Sequence, residues 1–108
     1  MNDTLEALYG VILDRKINAK ENSYTAYLFR EGIDKILKKV GEECTETIVA
    51  AKNGIKNDVV AEISDLIYHL LVMMVNEKIP LSEVMDELDR RAKKTGNLKQ
   101  FHVTDKNT

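Results

Sequence analysis

The segment from Asn57 to Glu77 constrains the fold more than any other part of the chain. Its spacing predicts a helix, and at 100° per residue its polar side chains fall within an arc of about 60°. A helix that is apolar on most of its surface is normally buried. We therefore expect this helix at the centre of the protein, with one narrow polar stripe facing inward: Asp58, Glu62, Asp65, His69 and Asn76.

Helical spacing also predicts the remaining elements, because β-branched alternation is scarce. The expected helices run from about Thr4 to Asn18, over residues 24–29, from about Ile33 to Lys52, and from Ser82 to Gly96. Asp3 with Glu6 and Ser23 are the expected N-caps, and Asn53-Gly54 is the expected turn between the two long helices. The predicted fold class is all-α: a helical bundle built on an antiparallel helix hairpin and completed by oligomerisation.

The second long helix carries an apolar arc of about 120° opposite its charged side. Cys44 lies on this arc, where we expect a structural thiol and not a nucleophile, since nothing near it would stabilise a thiolate. The last helix is expected to turn Val84, Met85 and Leu88 inward. The full arc on the second helix comprises Ile33, Ile36, Val40, Cys44, Ile48 and Ala51.

Length and composition narrow the function classes. The 108 residues predict one domain over residues 1–96, with a polar tail at 97–108. With 16 basic and 18 acidic residues, the net charge of −2 gives no reason to expect nucleic-acid binding. The longest apolar run is too short for a membrane helix, and the acidic N-terminus does not resemble a signal peptide. We expect a cytoplasmic protein without membrane association.

Four carboxylates on the two long helices predict the chemistry. Glu62 and Asp65 lie one turn apart within an otherwise apolar helix, and Glu43 and Glu46 have the same spacing on the preceding helix. Counted from the turn, the two pairs lie at similar heights and can face each other. Facing carboxylates repel unless a cation lies between them, and oxygen ligands suit Mg²⁺, or alternatively Mn²⁺.

Lysines near this cluster indicate a phosphate-containing substrate. Lys35, Lys38 and Lys39 lie one to two turns before Glu43 and could meet phosphate oxygens. Together with a carboxylate-held Mg²⁺, they predict metal-assisted hydrolysis of a phosphoanhydride. Taken alone, the second helix would more often be a solvated charged face, and an isolated His69 would more often be a core histidine. The acids that interrupt the apolar surface of the third long helix favour the site.

Several segments resemble the phosphoribosyl-ATP pyrophosphatases of histidine biosynthesis, within the all-α nucleotide pyrophosphohydrolases. The resemblance covers roughly residues 5–91 and rests on the segments 23–29, 35–43 and 65–71 with Glu46 and Glu62. It implies a homodimer or dimer of dimers that converts phosphoribosyl-ATP to phosphoribosyl-AMP and pyrophosphate. It also implies a single-function form, since a fused cyclohydrolase domain would not fit in this length.

The resemblance also assigns roles to residues. It implies catalysis by Glu42, Glu43, Glu46, Glu62 and Asp65, with the last four as metal ligands. The role of Glu42 and the carboxylate that activates water stay open. The candidate substrate-binding residues are Ser23, Lys35, Lys38, Lys39 and His69.

Three other interpretations compete with this one. A housekeeping enzyme that hydrolyses noncanonical nucleoside triphosphates would use the same carboxylates. A di-iron bundle would need a Glu-x-x-His pair on each of two helices, and the chain has only two histidines. A non-catalytic helical dimerisation module would show no metal dependence and would tolerate Glu62→Gln.

Overall fold

The computed structural model describes residues 3–94, which form five helices and contain no strand. They are α1 (Thr4–Ile17), α2 (Tyr24–Glu31), α3 (Ile33–Asn53), α4 (Lys56–Asn76) and α5 (Leu81–Ala92). The all-α prediction is confirmed, and the long helices end within a residue or two of their predicted ends. The closing Gly96 and the boundary between residues 1–96 and 97–108 fall outside the described residues. No helix within residues 3–94 is both long enough and apolar enough to cross a membrane.

Two glycines set the directions of the long helices. Gly32, between α2 and α3, has φ 91° and ψ −174°, a region that only glycine adopts readily. Gly54 follows α3 in the left-handed conformation at φ 77°, and its N–H donates to the carbonyls of Ala50 and Ala51. The chain then enters α4 after one residue, Ile55, so α3 and α4 pack as the predicted antiparallel hairpin.

Capping matches the prediction at one helix and not at two others. The Ser23 hydroxyl accepts a hydrogen bond from the Ala26 N–H at 3.1 Å, as predicted. In the described chain the Asp3 side chain makes no capping hydrogen bond; its backbone carbonyl accepts from Ala7 instead. Likewise α5 begins at Leu81 after Pro80, one residue earlier than the predicted Ser82 start.

The hydrophobic core lies at the end of the hairpin away from its turn. There α1 packs against α2 and α4, α2 packs against α3, and Leu81 of α5 closes the cluster. Leu88, which we expected on the inner side of α5, is exposed. The core residues are Ile12, Leu28, Ile36, Leu71, Val72, Val75 and Leu81.

The turn end of the hairpin extends beyond this core, which corrects two expectations. The first half of α4 is not central: Val60, Ile63 and Ile67 are exposed, and only its second half is buried. The apolar arc of α3 is not its inner face either, because Cys44 and Ile48 are exposed. Of the predicted arc only Ile36 is buried, and the other buried residues of α3, Glu43 and Ala50, lie outside that arc.

Candidate active site

The α3–α4 hairpin brings three of the four predicted carboxylates together. Glu43, Glu62 and Asp65 can each offer one oxygen, and these oxygens lie within 4.8 Å of one another. Glu43 is buried, with 6% of its surface exposed, Glu62 is half-buried and Asp65 is exposed. The predicted polar stripe of α4 is therefore only partly internal, since Asp58 and Asp65 face solvent.

Two oxygens of this cluster lack the partners that buried oxygens normally have. Glu43 Oε2 and Glu62 Oε1 are buried and have no hydrogen-bond partner among the described residues. A buried carboxylate oxygen without a partner is costly, so such groups are usually paired with cations or coordinate metals. The donor set consists of carboxylate oxygens with no thiolate or imidazole, which fits a hard divalent cation such as Mg²⁺.

A threonine that the sequence analysis did not single out ties the two halves of the cluster together. The Thr47 hydroxyl lies 2.7 Å from the Glu43 carbonyl oxygen and 3.3 Å from the Glu62 carbonyl oxygen. Threonines commonly bond to the carbonyl four residues earlier on their own helix. The additional contact with α4 fixes the backbones that carry Glu43 and Glu62 at the same height.

Glu46, the fourth predicted carboxylate, lies beside Glu62 and outside the group of three. Both glutamates line a cleft of about 310 Å³ near the turn, together with Asp58 and Thr45. Partial burial of the Glu62 carboxyl, and next the negative charge of Glu46, raise the pKa of Glu62 above its ordinary value. The charges of Glu43 and Asp65 act in the same direction. The raised pKa therefore reflects burial first and then the neighbouring negative charges, which a bound cation would offset.

The three predicted lysines do come together, in a second cleft of about 250 Å³. Lys35, Lys38 and Lys39 line it with Glu42 and with three residues of α2: Tyr24, Tyr27 and Leu28. The Lys35 ammonium lies 5.8 Å from the centre of the Tyr27 ring, a cation–π contact.

Lys39 connects this lysine cleft to the acidic cluster. Its Nζ lies 3.2 Å from Glu42 Oε1 and 3.9 Å from Glu43 Oε1. The hydrogen bond from Lys39 to Glu42 raises the pKa of Lys39 above its ordinary value. The arrangement can bind a polyanion at the lysines while a cation is held by the carboxylates beside them.

The remaining candidates, Ser23 and His69, both make hydrogen bonds within the protein. Ser23 caps α2, and Tyr24, the first residue of α2, borders the lysine cleft. His69 is buried; its Nδ1 lies 2.7 Å from the Asp65 carbonyl oxygen and its Nε2 lies 3.0 Å from the Tyr24 hydroxyl. Tyr24, which helical spacing alone does not mark as a site residue, is half-exposed at this cleft.

Comparison with known proteins yields one family and close relatives. The family model described as phosphoribosyl-ATP pyrophosphohydrolase matches residues 5–92. A phosphoribosyl-ATP pyrophosphatase of Clostridium novyi is 62% identical over 90% of this chain and 88% of its own length. One from Clostridium acetobutylicum is 54% identical over 92% and 90%. A histidine biosynthesis bifunctional protein HisIE of Caldanaerobacter subterraneus is 56% identical over 85% of this chain, which spans 45% of that protein.

Proposed function

The chain belongs to the phosphoribosyl-ATP pyrophosphohydrolase family, and from this premise we propose that it hydrolyses phosphoribosyl-ATP to phosphoribosyl-AMP and pyrophosphate in histidine biosynthesis. The observation that carries the proposal is the pair of unpartnered, buried oxygens, Glu43 Oε2 and Glu62 Oε1, next to a lysine-lined cleft. Relatives that cover most of the chain and have this printed name support the same substrate. An ATP derivative as substrate also favours a cytoplasmic location.

Glu43, Glu62 and Asp65 would hold Mg²⁺, with Glu46 as the fourth carboxylate of the set. When bound, Mg²⁺ would neutralise phosphate charge and polarise the phosphoanhydride that is cleaved. The protein's own contribution is to fix the acids: the Thr47 contacts hold the backbones of α3 and α4 in register. Glu43 is buried and Glu62 is half-buried, so these two carboxylates are partly withdrawn from bulk water.

Lys35, Lys38 and Lys39 would bind the polyphosphate in their cleft. Lys39 is the residue best placed to meet phosphate oxygens close to the cation, since it already contacts Glu42 and Glu43. Water is the nucleophile in this proposal, and no covalent enzyme intermediate forms. The bond cleaved is the one between the α and β phosphates, so pyrophosphate leaves in one step.

Hydrolysis of phosphoribosyl-ATP in ¹⁸O-labelled water, followed by mass spectrometry, tests this proposal. We expect phosphoribosyl-AMP and pyrophosphate as the first products, label in one of them, and no reaction in EDTA. Orthophosphate as first product, with accumulation of phosphoribosyl-ADP, would place the cut at the wrong bond. A panel of noncanonical nucleoside triphosphates run in parallel separates this activity from a housekeeping one, which would prefer the panel.

We further propose that two copies of the chain pair through the exposed apolar faces of α3 and α4. Val60, Ile63 and Ile67 form a stripe on α4, and Cys44 and Ile48 are exposed on α3. Adjacent exposed apolar side chains often mark a protein–protein interface. Leu71, Val72 and Val75, farther along α4, belong to the subunit's own core, so the proposed interface lies nearer the turn.

Light scattering tests the assembly with a matched pair of substitutions. Ile63→Glu should shift the protein to a monomer, because a charge would be buried at the interface. Val11→Glu, which places the same charge on an equally exposed apolar position of α1, should leave the assembly unchanged. A wild-type protein that is monomeric at micromolar concentration would overturn the pairing.

A further inference from the structure

One hydrogen bond joins the lysine cleft to the helix that carries Glu62 and Asp65. The hydroxyl of Tyr24, the first residue of α2, lies 3.0 Å from Nε2 of His69 on α4. His69 is 4% exposed, whereas Tyr24 is 45% exposed and borders the cleft of the three lysines. The tip of the tyrosine is therefore anchored on a buried residue, while nearly half of the surface of Tyr24 stays exposed beside the cleft.

The second contact of His69 fixes where the protons lie. Its Nδ1 is 2.7 Å from the Asp65 carbonyl oxygen, and because a carbonyl has no proton, Nδ1 must donate. In the neutral ring Nε2 is then an acceptor, so the Tyr24 hydroxyl donates to it. The only hydroxyl proton of Tyr24 is thus committed to His69 and is not available to a phosphate oxygen. What Tyr24 can offer a substrate is mainly the face of its ring.

The ring is held in one orientation by its aromatic neighbours. His69 meets it edge-on with ring centres 5.8 Å apart, and Tyr27 and Tyr68 lie at 6.1 and 6.2 Å. A bond that only joined α2 to α4 would be redundant here, because Thr25 of α2 already bonds to the Tyr68 hydroxyl of α4. Tyr68 does not line the lysine cleft, so it offers a matched comparison for Tyr24.

We propose that Tyr24 is a nucleoside-binding residue whose ring packs against the nucleoside part of the substrate, in an orientation set by His69, while the neighbouring lysines bind the phosphates. This inference rests on the proposed function for the identity of the nucleotide. The physical basis is the tolerance of base–aromatic stacking for any planar base and the low entropy cost of a ring already held in place. On this proposal the lysines of the cleft bind the phosphate charge, and the ring of Tyr24 binds the nucleoside.

The test compares a nucleotide analogue with a chain of three phosphates that carries no nucleoside. Tyr24→Ala should weaken binding of α,β-methylene-ATP by roughly fivefold or more, the scale of one lost stacking contact. Binding of inorganic tripolyphosphate, which lacks a base and a sugar, should change by less than about twofold, since the charged contacts remain. Tyr24→Phe, which keeps the ring but releases it from His69, should give a smaller loss of the same kind.

Activity provides a second readout with its own control. In phosphoribosyl-ATP hydrolysis, Tyr24→Ala should raise KM with little change in kcat, whereas Tyr68→Phe, which removes the parallel α2–α4 hydrogen bond, should leave KM unchanged. Equal weakening of tripolyphosphate and nucleotide, or an equal effect of Tyr68→Phe, would overturn the role of Tyr24. If the wild type binds the analogue in this Tyr24-dependent way but does not hydrolyse phosphoribosyl-ATP, the proposed function fails and the inference about Tyr24 stands.

Discussion

Replacing Glu43 by glutamine should change the stability of the protein in opposite directions with and without Mg²⁺. The Glu43 carboxylate is 6% exposed, its Oε2 has no partner among the described residues, and Glu62 and Asp65 carry negative charge close by. Its nearest cation is Lys39 Nζ at 3.9 Å, and Lys39 lies closer to Glu42, at 3.2 Å. Without a metal, this buried and weakly paired charge should destabilise the fold.

The size of the effect follows from what glutamine changes. It keeps the shape of the side chain, removes the charge, and gains an N–H that can donate to the unpartnered Glu62 Oε1. An unsatisfied buried polar group costs about 1–3 kcal/mol. For a domain of this size, ~1 kcal/mol corresponds to a change in Tm of about 4 °C or more. At 100 times its Kd, Mg²⁺ would stabilise the wild type by about 2.7 kcal/mol, a gain that the variant should largely lose.

Thermal unfolding followed by circular dichroism, in EDTA and in millimolar MgCl₂, measures both signs. We expect Glu43→Gln to melt above the wild type in EDTA and below it in Mg²⁺. Glu31→Gln makes the same charge change at an exposed position at the end of α2, and it should shift both melts equally. A variant that is less stable than the wild type in EDTA, or that gains as much from Mg²⁺, would refute the reasoning.

Three further predictions concern charge. Glu46→Gln and Asp65→Asn should each reduce turnover at least ~100-fold in a steady-state assay with Mg²⁺, which is the size of effect expected when a transition-state contact is lost. Near-normal rates in both variants would exclude the four-carboxylate site. Burial and the charge of Glu46 raise the pKa of Glu62, so the metal-free protein should gain stability as the pH falls through that pKa. Over the same range the apparent Mg²⁺ affinity measured by titration should fall, because protons compete with the metal for the carboxylate. A Mg²⁺ affinity that does not depend on pH would contradict this. Hydrogen bonds from Arg90 and Arg91 lower the pKa of Glu87 to about 2, so its contribution is present above pH 4.5 and is lost as the pH falls towards 2. Glu87→Gln should therefore lower the Tm at pH 7 but not at pH 2, and an equal change at both would argue against the pairing.

The parts of the fold that depend on local sequence were predictable. Ser23 caps α2 through its own hydroxyl, and Gly54 occupies a backbone conformation that most other residues avoid. In both cases the residue type determines the structure of only the few residues around it. The hairpin and the similar heights of the acid pairs then follow from counting residues on either side of a short turn. The predicted cap by the Asp3 side chain was nevertheless wrong, because a pattern of residue types does not determine which rotamer a side chain adopts.

Contacts between residues distant in sequence were not predictable in this way. Tyr24 and His69 are 45 residues apart, and Thr47 and Glu62 are 15 apart, so no periodicity brings either pair together. The prediction of which face of α3 packs inward was wrong for a different reason. Helical spacing identifies an apolar arc that includes Cys44 and Ile48, but it cannot distinguish a face that packs inside one subunit from a face left for another surface.

The location of the acids explains why that distinction matters for this protein. Glu43, Glu62 and their neighbours lie on the half of the hairpin that extends beyond the core, where Val60 and Ile63 are exposed and intramolecular packing contributes least. Several carboxylates are grouped on that same half, and the charges of Glu43, Glu46 and Asp65 contribute to the raised pKa of Glu62. A cation between the acids and a second copy over the apolar stripes would each remove one of these two destabilising features. The proposed metal and the proposed assembly would therefore stabilise the same half of the hairpin, so we expect the folding of this half to depend on Mg²⁺ and on pairing of the subunits.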